Sequence, residues 1–266
     1  MENKNFKMEY SIRYINGDMV RYPHILYKYR DWSKDFHKNI LINNTLYFAS
    51  PKDFEDIHDC NLPEHFPSKS ELYQYFINKA KSDFPNLPRI ERREFARKWS
   101  KKSPLANPKR LNKLITQFNK KFNETFGVLS MTVNPDNNDM WEKYGNEHKG
   151  FCVGFDSKLL FDYFGGGGGD VQYVDELPVI NFAEDGFEEK HIKNIFFKER
   201  KWAFEEEYRL HKMWEKNASN DDRNIPFPSE CIKEIHLGKS MEKIDKEEIK
   251  SIVKKKYPDA KIIEHH

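Results

Sequence analysis

Glu205, Glu207 and Arg209 stand at alternate positions in the run Trp202-Ala203-Phe204-Glu205-Glu206-Glu207-Tyr208-Arg209-Leu210. Read as an extended strand, the run puts these three charged residues on one face and Trp202, Phe204, Tyr208 and Leu210 on the other. Acidic residues are depleted in strands, so two carboxylates on one strand face call for a reason. One reason is a solvated outer face on an edge strand. The other is a cleft, because a strand anchored by an aromatic face holds its polar groups in the fixed geometry that catalysis requires. Carboxylates this close repel each other. A raised pKa on one of them relieves the repulsion, and so does pairing with a cation such as Arg209. A glycosidase-like acid/base pair also uses two carboxylates, but those flank the substrate and do not stand two residues apart. No histidine lies at a ligand-like spacing from the glutamates, and only His211, on the same face, offers itself for a metal.

Two more strand-like runs carry polar groups. Val128–Thr132 places Ser130 and Thr132 on one face and Leu129 and Met131 on the other. Such hydroxyls commonly satisfy backbone groups, and they equally line pockets. In Leu26-Tyr27-Lys28-Tyr29-Arg30, the residues Leu26, Lys28 and Arg30 share a face. Arg30 with Lys28 suits a phosphate held by charge-assisted hydrogen bonds, or is an ordinary cation at a strand end. Trp141 and Tyr144, three residues apart, fit either a core or a ligand platform, and His148 falls in a nearby loop. Cys152 alternates with Phe151 and Val153 without an adjacent base, which reads as a buried, inert thiol. Asp56, His58 and Asp59 crowd a polar turn that reads as solvated, although the same residue types bind metals. The glycines 165–169 lack the Gly-Lys-Ser/Thr of a phosphate loop. They read as a graft replacing a longer loop, and His265-His266 as the stub of a purification tag.

These groups need a scaffold, and punctuation along the chain outlines one. Thr45–Ser50 is a β-rich run stopped by Pro51. Residues 68–124 read as helical. Ser68 and Glu71 have capping-box spacing, Asn107-Pro108 suits an N-cap followed by N1, and Leu111, Leu114, Ile115, Phe118 and Phe122 trace an apolar stripe. Asp139 is the expected cap of a short helix through Tyr144. Phe151–Phe155 is a strand, Asp156 a cap, Val171–Val174 a short strand, and a helix runs through Ile192, Ile195 and Phe196. The chain closes with strand Ile232–Leu237, a helix through Ile244, Ile249, Ile252 and Val253, and strand Lys261–Glu264. This order predicts one α+β domain over 1–266, built on a mostly antiparallel split sheet with a helical basic insertion at about 68–124.

Composition agrees. Of 266 residues, 38% are hydrophobic and 15% aromatic, enough for a core despite 33% charged residues, which excludes global disorder. No stretch approaches the roughly 18 apolar residues of a membrane span and no apolar leader opens the chain, so a cytoplasmic protein without membrane contact is expected. Three scattered cysteines form no disulfide framework and no zinc ribbon, which suits a reducing compartment. The formal charge of +2 decides nothing by itself, but Arg89–Lys121 holds twelve Lys/Arg against two Glu. That block reads as a solvated surface or a phosphate-led, sequence-blind nucleic-acid contact, with few aromatics free to stack on bases.

In chain order, the three strands carry Arg, Ser-x-Thr and Glu-x-Glu. This resembles the Arg, Ser-x-Ser, Glu-x-Glu pattern of the ADP-ribosyltransferase superfamily, with Thr132 in place of the second Ser. The resemblance implies a split-sheet fold with NAD as substrate. It further implies Arg30 for the phosphates, Ser130 and Thr132 for the nicotinamide pocket, Glu207 as the catalytic carboxylate and Glu205 for the acceptor. Tyr144 and Arg209 are read beside them as further NAD-binding residues. A longer set of motifs runs along most of the chain: Leu26–Arg30, Leu46–Pro51 with Phe54, Met140-Trp141 with Tyr144, His148-Lys149-Gly150-Phe151, Trp202-x-x-Glu205-x-Glu207-x-Arg209, and Ile235-x-Leu237-Gly238. These are similar to the bacterial and phage family called domain of unknown function 2971. Glu55-Asp56-Ile57 departs from its more usual Asn-Asp-Pro, and the family name supplies no chemistry. The expectation is an ADP-ribosyltransferase-like enzyme that cleaves NAD and modifies a nucleic-acid or protein acceptor, as a toxin or phage-defence effector. The alternative is a non-catalytic module that binds nucleic acid or a partner protein.

Overall fold

The computed structural model describes residues 10–15, 18–165 and 167–266. Its centre is a seven-stranded sheet made of β1 (Ile25–Arg30), β2 (Phe126–Thr132), β3 (Phe151–Asp156), β4 (Gly167–Asp170), β5 (Glu207–Met213), β6 (Ile232–Leu237) and β7 (Lys261–Glu264). Across the sheet the order is β7-β6-β3-β1-β2-β5-β4. Only the β6/β7 pair is parallel. β1 pairs with β3 along its whole length, and β2 with β5 over all seven residues. β1 and β2 meet only at Tyr27↔Thr132. Beyond that pair the sheet opens, and the Lys28 ammonium reaches across to donate to the Ser130 carbonyl.

The helices are α1 (Asp35–Ile42), α2 (Lys69–Asp83), α3 (Arg89–Lys102), α4 (Pro108–Thr125), α5 (Asn138–Lys143), α6 (Ser157–Phe164), α7 (Phe187–Phe196), α8 (Asn220–Arg223) and α9 (Lys243–Lys256). Local chemistry sets several of their starts. Ser68 and Glu71 close both bonds of the expected capping box, Asn107 accepts from the Arg110 amide, and Asp156 accepts from the Leu159 amide. The cap of α5 is Asn137, whose side chain accepts from the Met140 amide, and not Asp139. The alternation of β1, β2 and β5 sorts their residues between two helical layers. Leu26, Leu129, Met131, Tyr208 and Leu210 pack with α1, α6 and α9 on one face. On the other face Tyr27, Tyr29 and Cys152 pack with α5, and Phe126 and Val128 pack with α4 and α7.

α2, α3 and α4 fill the expected helical stretch. α2 and α3 share a small cluster of their own around Leu72, Phe76 and Ala96. Leu114, placed on the stripe from its spacing, is 38% exposed, and Ile244 of α9 lies outside the core. Phe84 and Trp99 are also exposed, so the basic block has more aromatic surface than its sequence suggested. The three cysteines are free and buried. Among the described residues, no helix is long and apolar enough to cross a membrane.

Two small segments are built into the fold. Gly165, at φ 60°, caps α6 in the left-handed conformation, and Gly167–Asp170 is the edge strand β4, paired with β5. A side chain on Gly168 would crowd the Tyr208 ring at 3.0 Å and the Arg209 carbonyl at 3.1 Å. His265 packs on the fold: its amide donates to the Leu237 carbonyl at 3.0 Å and its ring lies 5.1 Å from Trp141.

Candidate functional site

Residues 202–210 do not form one strand. Arg200–Glu205 is a 3-10 turn, Glu206 takes a left-handed conformation at φ 44°, and β5 starts at Glu207. Face alternation therefore ends at Glu206, and Trp202 and Phe204 are only half-buried, while Tyr208 and Leu210 enter the core as expected. A left-handed non-glycine residue costs of order 1 kcal/mol or more and persists only where its surroundings fix it. Here the Asn134 and Asn137 side-chain amides donate to Glu206 Oε1 at 3.0 and 3.3 Å. The kink still brings Glu205 and Glu207 together, because both accept from the Lys198 ammonium, at 2.5 and 3.3 Å.

Lys198 is the hub of a buried ionic cluster. It also lies 3.2 Å from Asp59, and Asp59 takes both ends of the Arg209 fork at 2.8 and 2.7 Å. The rest of the Arg209 fork goes to Glu207, at 2.8 and 2.9 Å, and to the Ile195 carbonyl, at 2.7 Å. Every guanidinium N–H thus has a partner, and Arg209 is wholly buried. Arg209 therefore cannot touch a ligand in the cleft, contrary to its expected place in an NAD site. Its role is to fix Glu207. Burial pushes the Glu207 carboxyl up, but Arg209 and Lys198 outweigh burial and hold it down at about 2. For Lys198, burial opposes the charge and Glu207, Asp59 and Glu205 prevail, so its pKa is raised. The Ser130 hydroxyl adds to the forces that keep Glu207 ionised, though it makes no well-formed hydrogen bond.

Above this cluster lies a cleft of about 790 Å³, within the size range of small-molecule sites. Arg30, Ser130, Thr132, Tyr144, Glu205 and Glu207 all line it. Six of the seven site residues read from the sequence are therefore together, and Arg209 lies behind them. Tyr144 donates to Glu205 Oε1 at 2.5 Å; burial and the Glu205 charge raise its pKa and keep the phenol protonated. Glu207 has three of its roughly four acceptor positions filled, and Glu205 two, so both retain capacity for a ligand. Burial, then the neighbouring Arg30 charge, lowers the pKa of Lys28 well below that of an ordinary lysine. Burial lowers that of Arg30 to about 10, so it remains a cation at neutral pH. Trp202 is ringed by the ammoniums of Lys143, Lys198 and Lys201, at 3.7, 5.2 and 5.6 Å from its ring centre.

Asp59 is buried and doubly ion-paired, whereas Ile57 and His58 of the same turn are exposed, so the solvated reading of the turn 56–59 fails at Asp59 alone. Asp59, Lys198 and Tyr173, whose hydroxyl accepts from the Glu207 amide at 2.9 Å, carry no periodic signal in the sequence. Their one mark is chemical, since a charge set as dense as Glu-x-Glu-x-Arg needs counter-charges from elsewhere if it is buried. His148 does not line the cleft. Its ring stacks on Trp141, and its carbonyl lies where a side chain at Gly238 would have to go. Gly150 packs just as closely on the Arg30 carbonyl. These glycines set the end of β1 and hence the position of Arg30. No protein-family model, curated protein or solved structure matches the chain.

Proposed function

We propose that the cleft binds NAD and cleaves its nicotinamide-ribose bond, passing ADP-ribose to a macromolecular acceptor. The observation that carries this reading is the division of charge in the cleft. Arg30, at the end of β1, and Lys34, in the turn after it, supply cations that outnumber the carboxylate of Asp31 between them. Glu55, Asp56, Asp59, Glu205 and Glu207 supply carboxylates, and with Lys143 and Lys198 standing among them that set stays net acidic. NAD has the matching asymmetry, an anionic pyrophosphate and a cationic pyridinium ring. Arg30 takes the phosphates. Glu207, fixed and ionised, faces the positive charge that develops on the ribose as nicotinamide leaves. Glu205, held by Tyr144 and Lys198, receives or orients the acceptor. Trp202 and Tyr144 provide aromatic surface for the rings. The resemblance to the Arg, Ser-x-Ser, Glu-x-Glu transferases supports the same assignment. Free buried thiols suit a cytoplasmic setting, and we propose a toxin or phage-defence role there.

The test incubates the chain with labelled NAD and cell lysate, beside Glu207→Gln and Arg30→Ala. Glu207→Gln is expected to lower turnover by about a hundredfold or more, the usual effect of removing a group that stabilises transition-state charge. Arg30→Ala is expected to act mainly on KM. If the wild type consumes no NAD, or if consumption is unaffected by both changes in proteins that remain folded, the proposal fails.

A further inference from the structure

We propose that Asp136, His236 and His265 form a binding site for a divalent transition-metal cation of the zinc class. One ligand atom from each lies within 4.8 Å of the other two. His236 Nδ1 and His265 Nε2 are 3.1 Å apart, close to the spacing of about 3.3 Å between two ligands of a tetrahedral zinc with bonds near 2.0–2.1 Å. Asp136 Oδ1 stands 3.9 Å from His265 Nδ1 and not beside the Nε2 that faces His236, so a single shell around all three closes only when the exposed Asp136 side chain turns toward that nitrogen, within the 4.8 Å that separates the three groups. Two imidazoles with a single carboxylate favour zinc and its neighbours over magnesium or calcium, which prefer oxygen ligands throughout. Three protein ligands leave a fourth position for water.

The surroundings are those of a prepared ligand set. His236 is 4% exposed, and its Nε2 faces Glu234 Oε2 at 3.2 Å. That carboxylate also accepts from the Tyr27 hydroxyl at 3.0 Å. A carboxylate on the second ring nitrogen directs the lone pair of the first toward a metal, the usual arrangement behind a metal-bound histidine. His265 is positioned by the bond from its amide to Leu237 and by Trp141. The cation would join three separate segments: β6, the chain after β7, and the loop after β2. The same loop carries Asn134 and Asn137, whose amides hold Glu206. The proposal is independent of the NAD reading.

The test titrates zinc, and cobalt as a spectroscopic substitute, into the full chain bearing no added histidine tag. Saturable binding of one equivalent is expected, with the visible absorption of tetrahedral cobalt. A hundredfold excess of zinc over Kd is expected to raise Tm on the order of 5–10 °C. His265→Ala and Asp136→Ala lie toward the surface and should weaken binding at least tenfold. Glu234→Gln should weaken it roughly 10–100-fold by misdirecting His236. His266→Ala should leave it unchanged. Absence of saturable zinc binding in the wild type overturns the proposal. So does binding that survives both His265→Ala and Asp136→Ala, or that is lost with His266→Ala, which would mark a terminal histidine pair acting alone.

Discussion

Arg209→Met is the most informative change to the ionic cluster. With Arg209 present, the carboxylates of Asp59, Glu205 and Glu207 face the cations Lys198 and Arg209. Three negative charges against two positive leave a formal −1, and the substitution makes it −2 in the same volume. Removing one partner of a buried ion pair costs about 3–5 kcal/mol, because the remaining charges stay desolvated. For a chain of this size that is a fall in Tm of roughly 6–20 °C. The pH dependence separates this mechanism from lost packing. In the wild type Glu207 is held at about 2 against an ordinary 4.5, so its contribution is complete above pH 4.5 and unchanged between pH 7 and 5. Without the guanidinium, burial dominates and raises the carboxyl pKa values above their unfolded values. The folded variant then binds protons more readily than the unfolded chain, and it gains stability as pH falls through the raised pKa. Urea unfolding at pH 7 and pH 5 should therefore show the gap between wild type and variant narrowing at the lower pH. A cost below about 1 kcal/mol, or a gap equal at both pH values, refutes the argument.

Further outcomes follow from the same geometry. The wild type should lose up to about 3 kcal/mol as pH falls from 4.5 toward 2, the range in which Glu207 takes up a proton that opposes folding, and Glu207→Gln should flatten that limb of the unfolding curve. Tyr144→Phe removes the donor to Glu205; turnover of NAD should fall at least tenfold while stability changes by only about 1 kcal/mol, read by steady-state kinetics beside thermal unfolding. Arg93, Arg97, Lys101 and Lys102 are exposed on α3, and the full block Arg92, Arg93, Arg97, Lys101, Lys102, Lys109 and Arg110 should bind DNA or RNA weakly and with a steep salt dependence. Reversing the four on α3 to Glu should abolish that binding in a filter or anisotropy assay without altering Tm or NAD turnover, and salt-insensitive binding would contradict a phosphate-led contact.

What the sequence revealed was mostly what period and capping encode. The strands β1, β2, β3, β5 and β6, both asparagine and serine caps, and the face carrying Ser130 and Thr132 were legible because local chemistry dictates them. Ser130, Thr132 and Glu207 could be placed from strand alternation, which holds in β2 and from Glu207 onward; Glu205 and Tyr144 reach the cleft from a 3-10 turn and a helix end, and Arg30 from the point where the sheet opens beyond Tyr27. The break at Glu206 was hidden, since the amides that hold it come from Asn134 and Asn137, some 70 residues away along the chain. Asp59 and Lys198 were missed for a related reason. Their burial depends on Arg209 meeting them in space, and nothing in the adjacent sequence records that encounter. The glycine strand misled because Gly-rich composition favours loops, whereas here Gly167–Asp170 is paired with β5 and at Gly168 the ring of Tyr208 leaves little space for a side chain.

The left-handed turn at Glu206 divides the two glutamates by compliance. Glu207 belongs to a ladder paired on both sides, with β2 and through the Val171 amide, and it is clamped by a guanidinium that cannot move. Glu205 ends a short 3-10 turn and is held only through side chains, the flexible stem of Lys198 and the ring of Tyr144. Any adjustment to a ligand therefore falls on the Glu205 side of the hinge. One carboxylate acts as the fixed jaw of a vice and the other as its sliding jaw, and the gap between them is set by a single residue that faces neither.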